Sequence, residues 1–229
     1  MALLDYTRRA MLAAGTATAI ALSAISVTAQ TPDDVLVVGQ IAEPKALDPA
    51  AVTAVNDFRI LMNLYDGLVR YKDGTLEVEP ALATSWNISN DGTEYTFSLR
   101  QGVKFHDGSD FNADAVKFNF DRMLDEAHPY HNTGPFPLSF FFSAIVSVDV
   151  LDPMTVKFTL NAPYAPFLSN LAYPTGLIVS PDAVAKHGTD FGRNPSGTGA
   201  FKFGEWRSNE AVVVEANSRH WEGAPHFQA

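Results

Sequence analysis

The run at residues 90–108, NDGTEYTFSLRQGVKFHDG, constrains the fold more than any other stretch of this chain. Asn90, Asp91 and Gly92 together are a hairpin-turn signal, because these residue types tolerate the positive φ that tight turns need. Tyr95, Phe97 and Leu99 then alternate with Thr96, Ser98 and Arg100, the period of a half-buried strand. Gly102 permits a second bend. A short second strand is expected where Val103 and Phe105 flank Lys104, closed by Asp107 and Gly108. Upstream, Trp86 to Ile88 is expected to pair with the 95–99 strand.

The remaining periodicity predicts alternating strands and helices, a mixed α/β chain. Residues 35–38 are a continuous apolar run, expected as a buried strand. A helix follows, with Phe58, Leu61, Tyr65 and Leu68 on one face and Asn56 or Asp57 as candidate N-cap. Residues 68–71 and 76–78 form a hairpin around Asp73-Gly74, and residues 80–85 a turn. Asn112 is expected to cap a helix with Asp114 in its first turn and Val116, Phe120, Met123 and Leu124 as its buried stripe. Residues 145–150 and 155–160 make another hairpin. Short helices are expected from Pro166 and Pro181, and a final hairpin from residues 201–206 and 211–216.

Composition excludes several functions. The 229 residues carry a net charge of −10, which argues against a nucleic-acid partner and against an anionic-membrane binder. There is no cysteine, so disulfides, thiolate metal sites and cysteine nucleophiles are excluded. His128 and His131 lie three apart, but Pro129 falls between them and no third ligand follows. No metal and no cofactor are expected. Gly197-Thr198-Gly199 lacks the Lys-Ser/Thr and the helix start of a phosphate loop, and reads as a turn into the 201–206 strand. Asp107 and Asp110 could be taken for a hydrolase's carboxylate pair, but both sit in turn or cap contexts. Residues 1–29 read as an export signal: Arg8-Arg9, an apolar Ala-rich run, and Val27-Thr28-Ala29 as cleavage site, with the twin-arginine type favoured over the general secretory one. With no cysteine for lipidation and no second apolar span, a soluble periplasmic protein without a stable membrane anchor is expected.

Three ordered pieces, Ser85-Trp86, Asp91 to Gly108 and Asn112 to Lys117, closely resemble the signature of the family 5 extracellular solute-binding proteins, the peptide- and nickel-type receptors of bacterial ABC importers. Ala46-Leu47-Asp48-Pro49 is similar to that family's turn after the first strand. Residues 195–201 resemble its P-x-G-T-G-P-[YF] motif with Ala200 for Pro, and residues 217–225 its N-x-x-Y-W-x-G-x-P segment with His220 for Tyr. The resemblance implies part of a two-lobed periplasmic-binding-protein fold, type II and cluster C-like. Residues 30–75 and 199–229 would belong to lobe I, and 76–198 to a hairpin-rich subdomain inserted in it. The second lobe would be absent from this chain, making it the N-terminal half of such a receptor.

The resemblance also implies capture of a small-molecule or short-peptide ligand and delivery to ABC permease subunits, by a monomer and without catalysis. Asn56, Asp57 and Phe58 fall where relatives line the ligand cleft, although capping alone accounts equally well for Asn56 and Asp57. Tyr130 and Phe136 lie in a Pro/Gly loop suited to an adaptable ligand wall, while the Phe140 to Phe142 cluster that follows is expected to pack. Thr175 stands where nickel-type receptors place an arginine for a chelator carboxylate. Other readings stay open: a nickel-chelate or other small-solute receptor, a non-functional truncated copy, and an exported hydrolase.

Overall fold

The computed structural model describes residues 31–229, so the export-signal reading of residues 1–29 lies outside the described residues. Its centre is a four-stranded antiparallel sheet of order β3-β4-β6-β5, built from β3 (Ala83–Ile88), β4 (Glu94–Leu99), β5 (Ile145–Asp152) and β6 (Thr155–Leu160). The alternation read from the sequence is what makes the sheet one-faced. Tyr95, Phe97 and Leu99 of β4 and Val156, Phe158 and Leu160 of β6 are all buried on one side. Trp86 pairs with Phe97 and Ile88 with Tyr95, as expected. Gly92 holds the connecting turn at φ 72°, where a Cβ would be strained.

Two helices cover that face. Asn112 caps α2 (Ala113–Leu124), its side-chain oxygen accepting the Ala115 N–H at 2.9 Å. Here α1 denotes Val55–Leu64 and α3 Phe167–Ala172. Phe120 of α2 meets Phe158 and Phe142 edge-on at 4.9 and 5.1 Å, and Phe167 of α3 meets Tyr95 at 4.7 Å. Each buried ring contributes about 1.5–3 kcal/mol by leaving water, and the edge-to-face contacts add to this. Two polar residues of α2, absent from its expected stripe, are also buried. Asn119 accepts the Val179 N–H at 3.0 Å and donates to the Val179 carbonyl at 2.8 Å, clipping the 177–179 segment to the helix. Arg122 makes a two-pronged ion pair with Asp48 at 2.9 and 3.2 Å, both side chains almost fully buried.

A second apolar cluster joins α1 to α4 (Pro181–His187) through Phe58, Leu61, Tyr65, Val179, Val184 and Phe191. Val212 and Val214 of the ribbon β7 (Phe201–Arg207)–β8 (Ala211–Ala216) pack against it. A short ribbon, β1 (Val69–Tyr71) with β2 (Val78–Pro80), turns at Gly74.

Five expectations need correction. Residues 103–105 form no strand. Val103 and Phe105 are buried, but their backbone closes a tight loop instead, Phe105 N–H to Ser109 O and Phe111 N–H to Val103 O. Residues 35–38 are not a buried strand either: Leu36, Val37 and Val38 are exposed, and the local ladder is only Leu36 N–H to Ala229 O and Gln228 N–H to Asp34 O. Part of the 80–85 turn is strand, because β3 begins at Ala83 to pair with Leu99. Ala54, not Asn56 or Asp57, occupies the N-cap of α1. The Asp57 carboxylate is used elsewhere, accepting the Lys45 N–H at 2.9 Å. Of the 140–142 run, expected to pack, Phe142 is buried while Phe140 is exposed.

Removing one partner of the Asp48–Arg122 pair strands the other charge in a water-free site. We expect Asp48→Ala to lose about 3–5 kcal/mol of stability in urea unfolding, and a matched apolar double replacement of both residues to lose much less.

Candidate functional site

Two recesses open on either side of Pro135. The first, about 300 Å³, is lined by Glu43, Lys45, Thr53, Asn56, Asp57 and Pro137, among others. It is built where the 43–57 loop enters α1. Asn56 donates to the Glu43 carbonyl at 3.3 Å, and Asp57 fixes the backbone of Lys45, so loop and helix start hold one another. Glu43 accepts from the Trp206 indole N–H at 2.6 Å, and the Arg193 guanidinium stacks on that indole at 3.4 Å. The indole hydrogen bond holds the Glu43 carboxyl below the usual carboxylate range. The second recess, about 500 Å³, lies at the C-terminal end of α2. Met123, Leu124, Glu126, His131 and Phe136 line it.

The six candidate ligand residues are not gathered into one place. Asn56 and Asp57 share the smaller recess, and Phe136 lines the larger one. Phe58, the next residue in sequence, is buried in the α1 cluster with its ring edge-on to Tyr173 at 5.5 Å. Tyr130 stacks obliquely with Phe118 and His128 at 5.8 and 5.9 Å. Thr175 is buried in a 3₁₀ turn (Pro174–Gly176), its hydroxyl without a protein partner and lining neither recess. Sequence reasoning missed Glu43, Lys45, Pro135 and Pro137 as recess walls, and His131 and Glu126 as walls of the other. The only available signal was the density of proline around residue 135, which keeps a loop from collapsing into regular structure.

At the opposite end of α1, the most distinctive sequence motifs meet one another. Gly197 and Gly199 press against the end of α1 so closely that added Cβ atoms would lie 2.2 Å from the Leu64 carbonyl oxygen and 2.4 Å from that of Asn63. His106 bridges the two glycines, 91 residues away along the chain from Gly197. Its Nδ1 accepts the Gly197 N–H at 3.2 Å, which leaves Nε2 to donate to the Gly199 carbonyl at 3.0 Å. Asp107 accepts from the Ser180 hydroxyl at 2.5 Å and from Ser109. Asp66 accepts from Thr198 at 2.7 Å and from the Trp221 indole at 3.0 Å, with His220 Nε2 at 3.7 Å. Burial works to raise the Asp66 pKa, but His220, Trp221 and Thr198 together outweigh it and hold the carboxylate below its ordinary range.

Comparison with known proteins matches residues 77–229 to the bacterial extracellular solute-binding proteins, family 5 Middle. The chain belongs to this family. Among its relatives, Di/tripeptide-binding protein 2 of Pseudomonas aeruginosa (strain UCBPP-PA14) is 38% identical over 219 residues, covering 88% of this chain and 41% of the relative. The periplasmic binding protein DppA of Helicobacter pylori, solved with the peptide STSA, superposes with a TM-score of 0.75 at 37% identity, covering 82% of this chain and 40% of the other. A dipeptide-binding protein of Pseudoalteromonas, solved with Met-Leu, gives a TM-score of 0.77 at 30% identity over 82% of this chain and 40% of that one. These neighbours are two-lobed periplasmic binding proteins of the type II fold, and the mixed α/β fold described above is shared with them. The chain spans about two-fifths of the length of the curated relatives it matches.

In family 5 terms, the hairpin motif and the P-x-G-T-G motif form two halves of one structural joint in this chain. The joint is acid-sensitive. Burial pushes the His106 pKa down, against the pull of the Gly199 carbonyl and of Asp66 and Asp107. A protonated Nδ1 could not accept the Gly197 N–H. Because the folded pKa lies below the unfolded value of about 6.5, the unfolded chain takes up the proton first. The stabilisation is therefore complete above about pH 6.5 and declines as pH falls through the folded pKa. We expect the melting temperature to drop between about pH 7.5 and 5.5, and His106→Gln to lower it at the upper pH while flattening that slope. Calorimetric scans across the pH series check both.

Proposed function

We propose that this chain is part of the substrate-binding component of an ABC importer. It captures short peptides, dipeptide, oligopeptide or glutathione-like, in the periplasm and delivers them to the membrane permease. The observation that carries the reading is the likeness to peptide receptors, over four-fifths of this chain, in two structures that hold short peptides. Residues 30–75 and 199–229 contribute to lobe I, with residues 76–198 inserted as a subdomain, and residues 1–29 direct export. Among the described residues no helix is long and apolar enough to cross a membrane.

The mechanism is capture by closure. Two lobes shut on the solute, and the buried, closed form is the one presented to the permease. The Asn56–Asp57 recess is this chain's contribution to the ligand wall. Its backbone is pinned by Asp57 and Asn56, and its open cationic side chain is Lys45, suited to a peptide's carboxylate. Phe136, on the wall of the neighbouring recess, and Tyr130, Phe58 and Thr175, which line neither recess, are not part of this wall.

A hydrolytic reading has little to work with at the residues that suggested it. The Asp107 carboxylate is engaged by Ser109 and Ser180, and Asp110 pairs with Lys104 at 2.6 Å. Both ring nitrogens of His106 are spent on backbone groups. These engagements support capture without catalysis as the proposed role.

The test is titration of the purified chain with Met-Leu and with glutathione, read by calorimetry and thermal melting. At ligand about a hundredfold above Kd, binding should add about 2.7 kcal/mol of stability. Lys45→Ala should weaken binding with little change in the ligand-free melt. Absence of heat and of any melting shift with every short peptide tried would sink the peptide reading.

A further inference from the structure

The larger recess, at the C-terminal end of α2, differs in chemistry from the Asn56–Asp57 recess. Its apolar walls are Met123, Leu124, Pro135 and Phe136. Its ionisable side chains are Glu126 and His131. Glu126 is exposed and forms no ion pair among the described residues. His131 Nδ1 lies 3.0 Å from the Arg122 carbonyl oxygen, which can only accept. Nδ1 therefore carries the proton, and in the neutral ring Nε2 is a lone pair with no protein donor.

The surrounding electrostatics have the same sign. The last carbonyls of α2 carry partial negative charge at this end of the helix. Arg122, whose guanidinium contacts the wall residue Phe136, is engaged by Asp48 and Thr133. It stacks on the Phe136 ring at 5.3 Å rather than entering the recess. The recess therefore offers a carboxylate, an imidazole acceptor and an aromatic ring, with no cationic side chain among its walls. An anion would be repelled. A metal ion is poorly served, since no group of three His, Cys, Asp or Glu is placed to hold one among the described residues. What fits is a charged donor with an apolar body.

We propose that this recess is an accessory binding site for small primary ammonium compounds bearing an apolar group. The ammonium donates to Glu126 and to His131 Nε2 beside the Phe136 ring, and the apolar part lies on Met123, Leu124 and Pro135. The site goes beyond the peptide-receptor reading and does not depend on it. It uses neither Asn56 nor Lys45, and would operate whichever solute the importer carries.

The probe is 2-phenylethylammonium, with 2-phenylethanol as its uncharged counterpart. The full chain is titrated at about pH 8, where imidazole is neutral and the amine charged, while the His131 ring nitrogens are followed by long-range ¹H–¹⁵N NMR. We expect a saturable shift of His131 Nε2 with the ammonium. Glu126→Gln should weaken binding about fivefold, the factor of a partly exposed ion pair, with the melting temperature unchanged. His131→Phe should abolish the binding while Met-Leu titrations stay as in the unmodified chain. Equal affinity for the alcohol, an undiminished Glu126→Gln variant, or shifts confined to other histidines would each overturn the proposal. Failure of peptide binding with the ammonium response intact would overturn only the receptor reading.

Discussion

Everything else in this structure hangs on a joint between two turns that are far apart in sequence. His106 can accept from Gly197 and donate to Gly199 only if both glycine backbones lie against the end of α1. No side chain larger than hydrogen fits at either position. Once this contact forms, Asp107 reaches Ser180, and Thr198 and Trp221 close on Asp66. Five segments of the chain are thus tied through neutral or carboxylate acceptors, each satisfied by a named donor. Buried polar networks of this kind stabilise only when complete, since each unmade bond leaves a desolvated group uncompensated.

The Asp48–Arg122 pair plays a similar part on the other side of α2. It is a buried ion pair, so its net contribution relative to an apolar packing is small. Its value is positional. Asp48 also accepts the Ala50 N–H, and Tyr65 donates to the Leu47 carbonyl. Arg122 reaches Thr133 and stacks on Phe136. The loop before α1 and the loop after α2, which together shape both recesses, are therefore anchored to one charged contact. Burial pushes the neighbouring Tyr65 hydroxyl well above its ordinary pKa, with Asp48 adding to the effect, so it remains a donor at any physiological pH.

The two recesses differ in chemistry. One is lined by a lysine and an amide, with its acidic groups already engaged; the other presents free acceptors on apolar walls. Each combines a helix end, at Asn56 and Asp57 in one and at Met123 and Leu124 in the other, with irregular loop backbone around Pro135.

Periodicity alone decided the secondary structure wherever one face of an element was buried. The alternation in β4 and β6, the Asn112 cap and the hairpin at Gly92 are local properties, and the structure keeps them. The motifs likewise established the family. Tertiary structure decided what local pattern cannot encode. Residues 35–38 look like a buried strand, but a strand exists only where partners complete its ladder, and here just residues 228–229 meet it. Residues 103–105 have strand-like alternation, yet their hydrogen bonds close a tight loop with Ser109 and Phe111, which leads straight into the joint at His106. Asp57 reads as a helix cap by position, but a backbone N–H twelve residues away claims its carboxylate. Arg122 and Asn119 look like surface residues of α2 until Asp48 and Val179 arrive to satisfy them. In each case the deciding partner is distant in sequence, and a single sequence carries no record of which distant groups will be brought within hydrogen-bonding reach.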